Sequence, residues 1–188
     1  MDLSKGRMEY IKIRIFFDWK GKIPIDKLCF IKYNVIKQRG LNDMGTIDYD
    51  EMLKLENQLC FPLYAAARQV TGLYTPYLKE LGLTYTQYIV FLVLWEQDGI
   101  PVGELGRRLY LDNGTLTPLL KKLETAGYLT RARDTSDERV VTVSLTEKGR
   151  ALKEQAKEIP LKIGSCIKLS EEEAQGLYIL LYRLLRGE

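Results

Sequence analysis

LYLDNGTLTPLLKKLETAGYLTRARDTSDERVVTVSLTEKG, residues 109–149, changes its apolar period once, and the change decides the fold. Leu116, Leu119, Leu120 and Leu123 fall at i, i+3, i+4 and i+7, which predicts a helix with one inward face. Gly127 follows as the residue that can end it in a left-handed conformation. From Tyr128 onward two β-rich runs flank the polar, turn-forming DTSDE of residues 134–138, which predicts a hairpin. Just upstream, PVGELGRRLYL, residues 101–111, predicts a short helix with Pro101 at its start and Val102, Leu105 and Leu109 inward. Two short helices, a tight turn and a two-stranded hairpin make a winged helix-turn-helix.

In that arrangement the second helix enters a major groove and the hairpin reaches along the backbone. The outward residues suit the task. Asn113, Gly114, Thr115, Thr117 and Pro118 stand at the helix start, with short donors and acceptors among them. Lys121 and Lys122 can meet phosphates, and Arg131, Arg133 and Arg139 decorate the hairpin. Proline is tolerated in a first turn, so Pro118 agrees with a helix that begins around Asn113–Thr115. The plainer alternative is a solvated helix and a charged hairpin in some other α+β domain. The order of the elements favours DNA.

Composition narrows the chemistry. The 188 residues, 46% hydrophobic and 28% charged, are those of a soluble globular protein of about one domain. No apolar run reaches the roughly 18 residues of a membrane helix, and no signal-peptide core is seen, so a cytoplasmic protein that meets no membrane is expected. There are no histidines, which removes Ser-His and Cys-His catalysis and most zinc chemistry. Three scattered cysteines form neither a disulfide framework nor a metal set, and no metal or cofactor is called for. The net charge of +3 is no argument for nucleic acid. Residues 1–43 hold ten Lys/Arg against five Asp/Glu, and the remainder is slightly acidic.

Residues 1–43 also differ in pattern. They are rich in Ile and Lys, and YIKIRIFF could pair with LCFIKYNVI as a hairpin. From about Asp48 the period is helical. Cys60, Leu63, Tyr64, Ala67, Val70, Tyr74, Tyr77, Leu78 and Leu81 form one stripe, interrupted near Gly72 and Pro76. A helix from about Thr84 is apolar nearly all round and is expected to be buried. After the hairpin the chain reads as two helices, the last opened by a capping box of Ser170 and Glu173.

The 109–149 stretch closely resembles the DNA-binding lobe of MarR-family regulators. LENQLCFPLYAAARQVTGLYTPYLKELGLTYTQYIVFLVLWE, residues 55–96, is similar to the organic-hydroperoxide-sensing, OhrR-type branch. The likeness runs from about Lys54 to the C-terminus. It implies a mainly α fold with a small β-hairpin wing: a winged helix-turn-helix DNA-binding lobe plus a helical dimerisation region. Residues 54–98 would hold the N-terminal helices and sensor site, 99–150 the winged lobe, and 151–188 the C-terminal dimerisation helices. Residues 1–43 lie outside it. Met44 opens what looks like an ordinary start for the family, so the preceding residues are expected to be an upstream extension. In the wing, the resemblance implies that Asp137 helps hold Arg139 at the DNA.

The same resemblance gives Cys60 a role. Pro62 fits a first turn, so a helix should start near Asn57–Cys60 with Asn57 as a cap. There the helix dipole favours thiolate, the form that attacks a peroxide O–O bond and becomes sulfenic acid. The family's two sulfur-bonding tyrosines match Tyr74 and Tyr85. Tyr74 lies fourteen residues beyond Cys60, about 21 Å along a helix, so the sensor site requires a homodimer. Tyr64, one turn from Cys60, would line the pocket. Cys166 stands about one residue from where part of the family carries a resolving cysteine; a packing cysteine is the alternative. Failing a protein thiol, a low-molecular-weight thiol would cap the sulfenate. Cys29 receives no role.

The reading is a homodimeric repressor, not an enzyme, that binds a pseudo-palindromic double-stranded operator and leaves it when an organic hydroperoxide oxidises Cys60. Three other readings stand beside it. One is a MarR-type repressor relieved by a small aromatic ligand. The second is a thiol peroxidase using the same cysteine. The third is a winged-helix module for protein interaction, without salt-dependent DNA affinity.

Overall fold

The computed structural model describes residues 49–133 and 139–187. The hairpin predicted within residues 1–43, Cys29, Asp137 and the tip of the wing therefore lie outside the described residues. The chain divides into two compact units. One runs from Tyr64 to Ile167, and the other joins the residues up to Leu63 with those from Lys168 onward.

Helix α1 spans Tyr49–Leu53, followed by a 3-10 turn at Leu55–Asn57. Helix α2 spans Cys60–Leu73 and α3 spans Thr75–Glu80. The break at Tyr74 falls where the sequence put it, between Gly72 and Pro76, because proline is favoured in the first turn of a new helix. Most of the expected stripe is not buried within the chain: α2 contains no buried residue, and of the nine stripe positions only Leu78 is fully covered.

Helix α4, Tyr85–Glu96, is the central post of the 64–167 unit. It opens with a capping box, in which Gln87 N–H donates to Thr84 Oγ1 at 3.3 Å and Thr84 N–H donates to Gln87 Oε1 at 2.9 Å. Tyr88, Val90, Phe91, Val93 and Leu94 are buried, as its all-round apolarity required. Strand β1 (Ile100–Pro101), helix α5 (Val102–Leu109) and helix α6 (Asn113–Thr125) follow. Leu116, Leu120 and Leu123 of α6 are buried and Leu119 is half-buried. Gly127, at φ +74°, ends the helix as expected.

Strands β2 (Leu129–Arg133) and β3 (Val141–Leu145) form the hairpin, running from Leu129 opposite Leu145 to Arg133 opposite Val141. The sheet has a third member: β1 pairs antiparallel with β3, giving the order β1-β3-β2. A two-residue strand carries no period, so the sequence reading had only two strands.

Helices α7 (Glu147–Ala156), α8 (Ile159–Gly164) and α9 (Glu171–Arg186) complete the chain. The expected two helices are three, because Pro160 starts a new helix near Ile159. The capping box at Ser170 is present in both directions, at 2.8 and 3.2 Å. The core, from Leu78 to Ile163, belongs wholly to the 64–167 unit. Among the described residues of the other unit none is buried. No helix among the described residues is long and apolar enough to cross a membrane.

Candidate functional site

Helix α6 projects its first half outward. Asn113, Gly114, Thr115, Thr117, Pro118, Lys121 and Lys122 are all exposed. The helix is opened by Asp112, whose carboxylate accepts the Thr115 N–H and the Thr115 hydroxyl, each at 2.9 Å. Those bonds hold the Asp112 carboxyl below its ordinary range. Aspartate just before a helix, with a bonding partner at the third position, is a legible start signal that the sequence reading passed over. A Cβ on Gly114 would lie 2.9 Å from Asp112 Oδ1, so the cap leaves little room for a side chain there.

Two of the hydroxyls offered for base reading also serve the helix. Thr115 bonds Asp112, and Thr117 Oγ1 donates to the Asn113 carbonyl at 2.7 Å. Both residues remain exposed. Pro118 is the sixth residue of α6, beyond the first turn where the sequence reading placed it. Its missing N–H leaves the Gly114 carbonyl without its i+4 donor.

Arg133 and Arg139 are exposed on the hairpin. Arg131 is half-buried and turned to Glu124 of α6, which accepts its Nη2 at 2.6 Å and its Nε at 3.0 Å. A groove of about 500 Å³ runs between Pro101, Asn113, Thr117, Arg131, Arg139 and Val141. It thus joins the start of α5, the outward face of α6 and the hairpin.

Cys60 is the first residue of α2 and is exposed, with Pro62 in the first turn as its position required. Asn57 does not cap this helix. It ends the preceding 3-10 turn, and its side-chain amide donates to the Glu51 carbonyl at 2.7 Å. Tyr64 lies four residues on in the same helix and is exposed; Arg68 Nη1 donates to its hydroxyl at 3.4 Å.

Tyr74 and Tyr85 are brought together at the start of α3 and of α4, with ring centroids 5.0 Å apart and edge to face. A third ring, Tyr88, lies 5.8 Å from Tyr74 and is buried. Burial pushes all three phenols above their ordinary range, so they remain hydroxyl donors. The sequence reading did not single out Tyr88, although its place three residues after Tyr85 was the available clue. Beside Tyr85 opens a cavity of about 420 Å³, lined also by Thr71, Thr75, Leu78, Lys79 and Leu83. Cys166 is exposed just after α8, its thiol donating to the Lys162 carbonyl at 3.3 Å.

Comparison with known proteins agrees with this geometry. The family described as "Transcriptional regulator SarA/Rot" matches residues 72–156. The organic hydroperoxide resistance transcriptional regulator of Bacillus subtilis is 50% identical over 137 residues, 73% of this chain and 92% of its own. The structure of reduced AbfR bound to DNA has a TM-score of 0.62 at 37% identity, covering 74% of this chain and 96% of that one. Disulfide-formed AbfR gives a TM-score of 0.51 at 36% identity, covering 73% and 96%. With a winged lobe, an exposed cysteine at a helix start and half its matched residues shared with such a regulator, the chain belongs to the MarR family, in its organic-hydroperoxide-sensing branch.

Proposed function

We propose that the chain is a homodimeric, DNA-binding transcriptional repressor of the cytoplasm that releases its operator when an organic hydroperoxide oxidises Cys60. The observation that carries the reading is the exposed thiol at the first position of α2, in a chain 50% identical to an organic hydroperoxide resistance regulator. Thiolate attacks the terminal peroxide oxygen, the O–O bond breaks, and the products are Cys60 sulfenic acid and an alcohol after protonation. Tyr74 and Tyr85 of a second protomer would bond the reduced sulfur, and Tyr64 would line the pocket. Oxidation removes the sulfur's negative charge and with it the bonds from those hydroxyls. The DNA is met by Asn113, Thr115, Thr117, Lys121, Lys122, Arg133 and Arg139. Asp137 is proposed to orient Arg139.

The test is DNA binding with and without cumene hydroperoxide. The expected result is loss of binding for wild type and none for Cys60→Ser, because a hydroxyl is not ionised and cannot attack the O–O bond. Release of that variant by peroxide would eliminate the thiol mechanism. If Cys166 resolves the sulfenate, peroxide also produces a reducible dimer band on gels that is absent in Cys166→Ser. A chain that releases DNA while staying monomeric on such gels takes a low-molecular-weight thiol instead. The cavity beside Tyr85 supports a second reading, relief by a small aromatic ligand, which predicts release by a phenol and indifference to peroxide. Many turnovers with a thiol reductant would instead mark a peroxidase.

A further inference from the structure

Besides the short β1 pairing and the buried Leu129, Val143 and Leu145, two carboxylates tie the hairpin to the rest of the lobe. Among the described residues strand β2 lies at the sheet edge, paired with β3 alone. Arg131, in its middle, presents its backbone N–H away from β3, and Glu124 Oε1 of α6 accepts it at 3.1 Å. Glu124 Oε2 takes the Arg131 side chain at 2.6 and 3.0 Å. One carboxylate therefore receives three donors from one strand residue and ties β2 to the helix that faces the groove. On the other strand, β1 begins at Ile100, two residues too late to pair with Leu145, the last residue of β3. Asp98 completes the ladder with its side chain: Oδ1 accepts Leu145 N–H at 2.7 Å and Gly99 N–H at 2.9 Å. Asp98 Oδ2 accepts Arg150 Nη1 of α7 at 2.9 Å.

β1 covers only Thr142 and Val143 of β3, so beyond it the hairpin is a two-stranded ribbon, which is marginal by itself and twists readily. Its direction is set by β1 and by what else grips its root. Here one carboxylate grips each strand, and both are charge-assisted contacts with fixed geometry. We propose that Glu124 and Asp98 are positioning residues for DNA binding, aiming the hairpin that carries Arg139, and that Arg131 serves in this strut rather than on a phosphate. The proposal rests on the DNA-binding reading above.

The experiment uses the full chain and a duplex that the wild type selects from a random pool. Glu124→Gln and Asp98→Asn keep side-chain volume and lose charge. Each is expected to weaken binding about tenfold, the scale of a lost charge-assisted hydrogen bond. In an Arg139→Ala background the same substitutions should change affinity by less than about twofold, since the aim of an absent side chain cannot matter. Equal losses in both backgrounds, or none in either, overturn the proposal. Arg131→Lys gives an independent arm should a carboxylate variant fail to fold. Lysine retains the charge a phosphate needs but lacks the guanidinium fork. It should therefore lose affinity like Glu124→Gln, and near-normal binding by Arg131→Lys returns Arg131 to the phosphates and ends the strut. A wild type that selects no duplex removes the DNA-binding reading itself, a result distinct from either variant's failure.

Discussion

Gly149 has no room for a methyl group. A Cβ there would stand 2.1 Å from the Tyr128 carbonyl oxygen and 3.1 Å from the Leu145 side chain. Its own carbonyl accepts the Trp95 indole N–H at 3.0 Å, so the start of α7 is held from both sides. Gly149→Ala should destabilise the 64–167 unit by about 3 kcal/mol, the upper end for overpacking. The measurement is a lowered urea midpoint at unchanged slope; an unchanged midpoint would mean that α7 slides without cost. Nothing in the sequence marks this contact, because Tyr128 is 21 residues away and glycine in a helix start is locally only a weak helix former. The Glu124–Arg131 pairing was hidden for a related reason. Arg131 reads as one more basic residue on an exposed strand until the chain's return past Gly127 brings it to α6. By contrast, Pro62, Gly127 and Ser170 act through their own backbone or their near neighbours, and each was legible.

Elements with a sustained period were also legible: α4, α6 and the hairpin lie where the spacing put them. β1 and the split between α7 and α8 were not, since two residues of strand and a single proline leave no pattern to count. In α6 the local rule was bent rather than missed. Pro118 takes one bond out of the ladder, between the turn that holds Asn113–Thr117 and the part that carries Leu120 and Leu123 into the core. The outer turn keeps the Asp112 cap and the buried Leu116. The helix should therefore open in two steps. By amide hydrogen exchange, Leu116 and Thr117 are expected to exchange at least about tenfold faster than Leu120 and Leu123, and Pro118→Ala should close the gap. Uniform protection along α6 would show that the missing bond is of no consequence. If the outer turn does open, DNA is expected to slow its exchange first.

At the scale of the whole chain, among the described residues one unit holds a core and the other buries none. The described part of residues 64–167 buries nineteen apolar side chains, from Leu78 to Ile163. In the other unit α9 exposes Leu177, Tyr178, Ile179, Leu180, Leu184 and Leu185, and no described residue of the chain covers them. A second copy of the chain, as proposed above, would supply it. The folding of α9 is then a bimolecular event. Its melting should depend on protein concentration, by about 2.7 kcal/mol for a hundredfold change, while the 64–167 unit melts independently of it. Leu177→Glu combined with Leu184→Glu should sediment as a monomer and abolish that dependence; a dimer persisting in this variant would place the contact elsewhere. The uncovered helix thus makes abundance a variable of the regulator. Below the dissociation constant of the pair, dilution alone would melt α9 and empty an operator with no peroxide present, so the number of copies in a cell sets the threshold at which repression begins.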